Sequence, residues 1–221
     1  SDLLIDVIKF SWNFIKLEDT LAKQAAYMVT AYFISKYDTP VKIVTQIFVA
    51  ILRTFQVESR YMVRQSLDLL APIIPERMAS TGAPNSWINW VRRVLSESNS
   101  NQNITLYQFL INHPGAFFGA RSLFIPNVIN HMGKLMLLTN PSGENQTLAI
   151  DLADLILYWE RKARKQKKEI LGNGDIEMKD NNAIHARDET TADDYMIPLS
   201  QSEACATFLI RYICVSNHRA S

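Results

Sequence analysis

An all-α chain, organised as an α-solenoid of HEAT-like helical hairpins, is the fold class this sequence predicts. Three observations carry it. Apolar residues recur at helical spacing along nearly the whole length. Glycine is scarce, with 7 among 221 residues, whereas strand-rich folds need frequent tight turns. Paired helices also recur about every 40 residues, close to the roughly 40 to 47 of the HEAT and armadillo class. An irregular helical bundle would give nearly the same periodicity, and the repeat spacing favours the solenoid.

The elements follow in order. SDLLIDVIKFSWNFIK opens with Ser1 or Asp2 as a cap and places Leu4, Val7, Ile8, Trp12 and Ile15 at helical spacing. After a polar break, Asp19 or Thr20 caps a second helix carrying Leu21, Ala25, Met28, Val29, Tyr32 and Phe33. Thr39 as cap with Pro40 at the first helical position starts a third, bearing Val41, Val44, Ile47, Phe48, Ile51, Leu52 and Phe55. A fourth runs from about Ser59 into RQSLDLLAPIIPERM, where Pro72 and Pro75 raise a choice. A proline inside a helix costs about 3 kcal/mol or more, so the helix either stops near Leu70 or bends there. Stopping suits the repeat: the prolines end the second helix of a pair, and Ile73 and Ile74 pack over the corner.

NSWINWVRRVLSE gives a fifth helix with Trp87, Val91, Val94 and Leu95, and TLYQFLINH a short one ending at Pro114. Pro126 is expected to start the next, through His131 to Leu138. ENQTLAIDLADLILYWERKARKQ places Leu148, Leu152, Leu155 and Trp159 on one stripe, and SQSEACATFLIRYICVSN presents Phe208, Leu209 and Tyr212. The stretch 169–199 has no sustained period and many Asp, Asn and Thr residues. The expected organisation is HEAT-like repeats over 1–168, a disordered polar insert over 169–199, and a further helix of the array over 200–221. Neither end offers a polar cap beyond Leu4, Ile8 and Trp12 or beyond Phe208 and Tyr212, so the chain is expected to be cut from a longer array.

Composition excludes several functions. With 48% apolar and 20% charged residues there is material for a core. The formal net charge of +1 gives no global attraction to nucleic acid or anionic membrane. IFVAIL (47–52) is far short of the roughly 20 apolar residues that span a bilayer, and the acidic N-terminus is unlike a signal peptide. Cys205 and Cys214, nine residues apart on one helix, lie about 13.5 Å apart on opposite faces and cannot bridge, which suits a reducing compartment. The sequons at Asn103 and Asn145 are read as chance.

Candidate chemistry is sparse. His113, His131, His185 and His218 have no histidine, cysteine or Glu-bearing zinc motif at ligand spacing. There is no nucleophile elbow and no phosphate-cradling glycine loop. Asp68, Asp151 and Asp154 read as contacts to neighbouring turns, and Trp87, Trp90 and Trp159 as core residues at repeat junctions. RKARKQKK, Arg161 to Lys168, carries six basic residues in eight. A helix C-terminus accounts for it through the dipole. A nuclear-import signal is the functional alternative, favoured over nucleic-acid binding because no aromatic residue is interleaved.

VRQSLDLLAPIIPERM (63–78), LAIDLADLILYWE (148–160) and FLIRYICVSN (208–217), in that order, resemble the HEAT-repeat region of the TRRAP family, very large pseudokinases of the phosphatidylinositol-3-kinase-related group, in its fungal form. The blocks cover a minority of the chain, and the first sixty residues are generic helical repeat. The resemblance implies a segment of a much longer protein whose kinase-like domain lies elsewhere. It also implies a non-catalytic nuclear scaffold for transcription, partnered by transcriptional activators and by subunits of histone acetyltransferase complexes of the SAGA and MYST types. No direct nucleic-acid or membrane partner is expected. No functional residue of the family carries onto a position here, so catalytic, cofactor-binding and metal residues are expected to be none. The rival reading is a HEAT-repeat nuclear transport receptor, a carrier whose acidic inner surface the balanced charge disfavours.

Overall fold

In the computed structural model, residues 2–17, 19–79, 81–97, 103–136, 142–172 and 195–220 are described, and every regular element among them is helical. The chain is all-α, of the HEAT-repeat solenoid class. It divides into two compact units, Ser1–Ala116 and Phe117–Ser221.

The first unit contains α1 (Asp2–Ile15), α2 (Thr20–Lys36), α3 (Val41–Leu52), α4 (Arg60–Leu70), α5 (Ile73–Ala79), α6 (Ser86–Glu97) and α7 (Ile104–Asn112). Helix α1 pairs with α2 and α3 with α4, while α2 packs on α4, α4 on α7, and α3 on α6. Two layers result, α2–α4–α7 and α3–α6, as stacked hairpins require. Between them lie Ile34, Ile47, Phe48, Ile51, Leu67, Leu70, Val91 and Phe109, none with measurable exposure. Phe48 meets Phe109 edge-on at 6.5 Å, an arrangement aromatic pairs prefer.

Local chemistry sets the boundaries. Asp19 caps α2 through Oδ1, which accepts from the Ala22 amide at 2.7 Å. The start of α3 falls one residue later than expected. Pro40 is the cap, in an extended conformation, and its carbonyl accepts from the Ile43 and Val44 amides. Thr39 is buried and turns its hydroxyl back to the Tyr37 carbonyl. Of the two readings of RQSLDLLAPIIPERM, the helix stops: α4 ends at Leu70. The chain then restarts as α5, a short helix the periodicity did not separate. Pro75 is the third residue of α5, where no backbone N–H has an intrahelical acceptor to lose. Ile74 packs inward over the corner.

A short turn, α8 (Pro114–Phe117), straddles the boundary. The second unit then contains α9 (Arg121–Met136), α10 (Gly143–Gly172) and α11 (Leu199–Ala220), with α9 packed on both α10 and α11. Here one expectation is corrected. Pro126 does not start a helix but sits inside α9, at its sixth residue. The missing hydrogen bond to the Ser122 carbonyl is outweighed by Phe124, Ile125 and Val128, all fully buried on one face. Leu138, where that helix was expected to end, is outside the described residues. So is most of the insert expected at 169–199: α10 continues to Gly172, and description resumes at Tyr195.

Candidate functional site

The histidines and cysteines occupy separate settings. His113 follows the last residue of α7 and donates from Nε2 to Asp68 Oδ1 of α4 at 2.7 Å, with the Asn112 amide 3.4 Å from the same carboxylate. Asp68 thus ties two stacked helices together, the neighbour-turn role expected of it. His131 is buried in α9. Burial, with Lys134 second, lowers its pKa from the ordinary 6.5 to about 4, so the ring is neutral. His185 and the side chain of His218 lie outside the described residues. Cys205 is buried and Cys214 exposed, both free, as opposite faces of one helix require. Burial pushes the Cys205 thiol up, away from the reactive thiolate. Among the described residues, no three His, Cys, Asp or Glu side chains converge as metal ligands would. No described helix is long and apolar enough to cross a membrane. Asn103 is buried, with its amide donating to the Leu95 carbonyl at 3.1 Å, and so cannot carry a glycan in the fold.

The tryptophans separate. Trp87 and Trp159 are buried, Trp159 completely. Trp90 corrects the expectation of a core residue: it is half-buried, with Arg53 and Arg93 at 5.8 and 5.5 Å from its ring. Both arginines also reach Glu97, at 3.1 and 2.7 Å, and hold its carboxyl below the usual range, the Arg93 hydrogen bond foremost. A shallow depression on α6 is lined by Ser86, Asn89, Trp90 and Arg93. The reason is register: Trp90 follows Trp87 by three, but the buried stripe of α6 continues through Val91, Val94 and Leu95.

The polar centre that the sequence reading missed is Arg121. It is 1% exposed at the start of α9. Its guanidinium donates to the Phe118 carbonyl at 2.9 Å and to the Tyr195 carbonyl at 2.6 Å. It lies 4.2 Å from the Phe118 ring centroid and 5.9 Å from that of Tyr195. Lys162 of α10 sits over the same Phe118 ring at 4.4 Å. Nearby, the Ile197 amide donates to Glu160 Oε2 at 3.4 Å, and the Tyr195 hydroxyl to Gln201 at 3.3 Å. A buried cation is tolerated only when its donors are satisfied, and here the donors bind the chain where it enters α11. A signal was present: Arg121 is the only Lys, Arg, Asp or Glu between residues 114 and 133. A lone charge in so apolar a stretch has either to be exposed or to be built in.

Asp68 with His113, Arg53 with Glu97, and Arg121 with the Tyr195 carbonyl each join one element to another. The same holds for the apolar residues the resemblance was drawn from: Leu67, Leu70, Leu148, Leu152, Leu155 and Phe208 are all buried. The basic run lies in α10 one turn short of its C-terminal end, and the last turn itself carries no basic residue. Arg164 pairs with Glu160 at 2.8 Å, and Lys165 approaches Glu169 at 3.9 Å.

Comparison with known proteins agrees with this geometry. Residues 2–221 match the family model described as the Tra1 HEAT repeat ring region. The chain is 53% identical, over 97% of its length, to the SAGA complex/NuA4 acetyltransferase complex subunit TRA1 of Saccharomyces cerevisiae, of which it covers 6%. It is 35% identical over 96% of its length to the subunit of that name in Schizosaccharomyces pombe, covering 5% of it. With a probable transcription-associated protein 1 of Dictyostelium discoideum it shares 39% over 73%, covering 4% of that protein. No solved structure matches.

Proposed function

Because this chain belongs to the Tra1 HEAT repeat ring family, we propose that it is a non-catalytic scaffold segment of a nuclear transcription coactivator, acting by protein–protein contact within histone acetyltransferase complexes. Its partners are other subunits of those complexes and transcriptional activators, and it needs no cofactor. The whole protein is many times longer: the chain spans 6% of the yeast relative. The observation that carries the reading is the match of residues 2–221 to that family, joined to a structure in which Asp68–His113, Arg53–Glu97 and Arg121–Tyr195 tie one element to another.

The test follows from that joint dependence. Leu67 and Leu155 are buried at helix interfaces, at 0% and 4% exposure. Replacing either with Asp buries an unpaired carboxylate, which costs several kcal/mol against a total stability of roughly 5 to 15. Leu67→Asp and Leu155→Asp are each expected to lower recovery of the full-length protein with its acetyltransferase partners, and activator-dependent transcription with it, after normalising to abundance. His113→Ala and Cys205→Ser are expected to do far less. If the histidine and cysteine variants abolish activity while the leucine variants assemble normally, the scaffold reading fails.

A further inference from the structure

The end of α10 carries a surface that helix packing does not use. At 100° per residue, Arg161, Arg164, Lys165, Lys167 and Lys168 fall within an arc of about 160°, and all five are exposed. Ala163, just outside that arc, is buried, and Lys162 leans away over Phe118. Two of the five are partly neutralised on their own helix by Glu160 and Glu169. Glu160 is largely committed to the interior, with its side chain 14% exposed. Among the described residues, Arg161, Lys167 and Lys168 have no carboxylate partner.

A helix-dipole role accounts for a cation or two in the last turn, each worth about 0.3 to 1 kcal/mol. It does not account for five on one face. The density is the informative quantity. From Arg161 to Lys168 the axis rises about 10.5 Å, and a nucleic-acid duplex presents about six phosphate charges over that length. Three cations without a carboxylate partner, with two partly neutralised ones beside them, would face that row of phosphates. Among the described residues, the nearest exposed apolar side chains are Leu157 and Tyr158, one turn before the cations. Among the described side chains from Arg161 to Lys168, an acidic amphipathic protein helix would therefore find no apolar seam. The run is also helical and continuous with the buried Trp159 turn, so its backbone amides are already engaged and its side chains alone are offered. The near-neutral total charge conceals this, because it averages a cationic face with acidic residues elsewhere.

We propose that the cationic face of α10 holds the phosphate backbone of a nucleic-acid duplex, without reading its sequence. Such binding is electrostatic and releases counterions, so affinity falls with salt.

The test uses the full-length protein and a variant carrying Arg161→Gln, Lys167→Gln and Lys168→Gln, with binding followed by fluorescence anisotropy. Probes are short DNA duplexes of two unrelated sequences, an RNA duplex, and poly-glutamate. The variant is expected to bind both DNA sequences roughly tenfold more weakly at about 0.1 M salt. Its plot of log affinity against log salt should flatten by about 2 to 3, since each phosphate that is neutralised adds about 0.9 to the slope. Equal losses for DNA and RNA support the shared phosphate chemistry, and loss for one alone identifies the source. Arg161→Lys with Lys167→Arg and Lys168→Arg should bind as the parent does. Unchanged duplex affinity and slope overturn the proposal, as does a loss confined to poly-glutamate, which would assign the face to an acidic protein. Recovery of the variant with its complex, at parental yield, excludes misfolding as the cause.

Discussion

Replacing Arg121 by Met is expected to loosen the start of α11 without dismantling the second unit. Met fills similar volume but leaves the Phe118 and Tyr195 carbonyls without the guanidinium donors now 2.9 and 2.6 Å away. Hydrogen bonds to a charged group contribute about 1.5 to 3 kcal/mol each, so the gross loss is about 3 to 6. Relief of the buried charge's desolvation returns part of this, leaving a net cost on the order of 3 kcal/mol. That corresponds to roughly a hundredfold change in a local opening equilibrium, at 1.36 kcal/mol per tenfold. Hydrogen exchange read by mass spectrometry should show it at the Ile197 amide and the first turn of α11, with α10 protected as before. Arg121→Lys should resemble the Met variant, because a single ammonium cannot reproduce a two-pronged donor. Exchange within about threefold of the parent at residues 195–202 would refute the clamp. Parental behaviour of the Lys variant would show that charge, not geometry, holds the segment.

Three further outcomes are expected. Trp159→Ala, at a fully buried position, should cost about 3 to 5 kcal/mol in chemical denaturation, whereas Trp90→Ala should cost about 1.5 or less, the order of its cation–π interactions; equal costs would contradict the placement of Trp90. His131 is held neutral, with a folded pKa of about 4 against 6.5, so the unfolded chain binds the extra proton between those values. Its contribution is present above pH 6.5 and is lost as pH falls toward 4, by about 3 kcal/mol; His131→Leu should flatten stability across that window relative to the parent, and an unaltered slope would refute it. Pro126→Ala should restore an amide bond to the Ser122 carbonyl at an exposed helix position, raising stability by about 1 kcal/mol or more; a loss would mean the proline is needed where it stands.

Most of the helix plan was legible because burial on one face leaves a period in the sequence. Leu148, Leu152, Leu155 and Trp159 announced α10, and Asp19 announced the cap of α2. The errors have physical causes. Pro126 carries a local cost that points to a helix start, and the packing of Phe124, Ile125 and Val128 overrode it. The separation of α5 from α4 rests on two prolines whose effect depends on which turn each occupies. Trp90 was misread because a large apolar residue three from a buried one looks buried, yet the stripe continues one residue over. Arg121 was missed because a lone charge forms no motif, and its partner Tyr195 lies 74 residues on. The basic run was legible as composition, but only its helical arrangement shows the cations gathered on one side.

The spacing of the cross-helix bonds bears on how such a chain is made. In the first unit Gln24 reaches Glu58, Arg77 reaches Asp38, Arg53 reaches Glu97 and His113 reaches Asp68, at separations of 34, 39, 44 and 45 residues. Each helical hairpin therefore needs only the one made before it. A ribosome adding about 5 to 20 residues per second delivers a repeat of about 40 in roughly 2 to 8 seconds, ample time for each to dock before the next emerges. Vectorial growth, repeat upon repeat, keeps apolar faces covered as they appear. The bond from Arg121 to the Tyr195 carbonyl is the exception. It closes over a much longer stretch, so α9 and its buried cation must wait, through the whole of α10 and the residues between it and Tyr195, for the carbonyl that completes them.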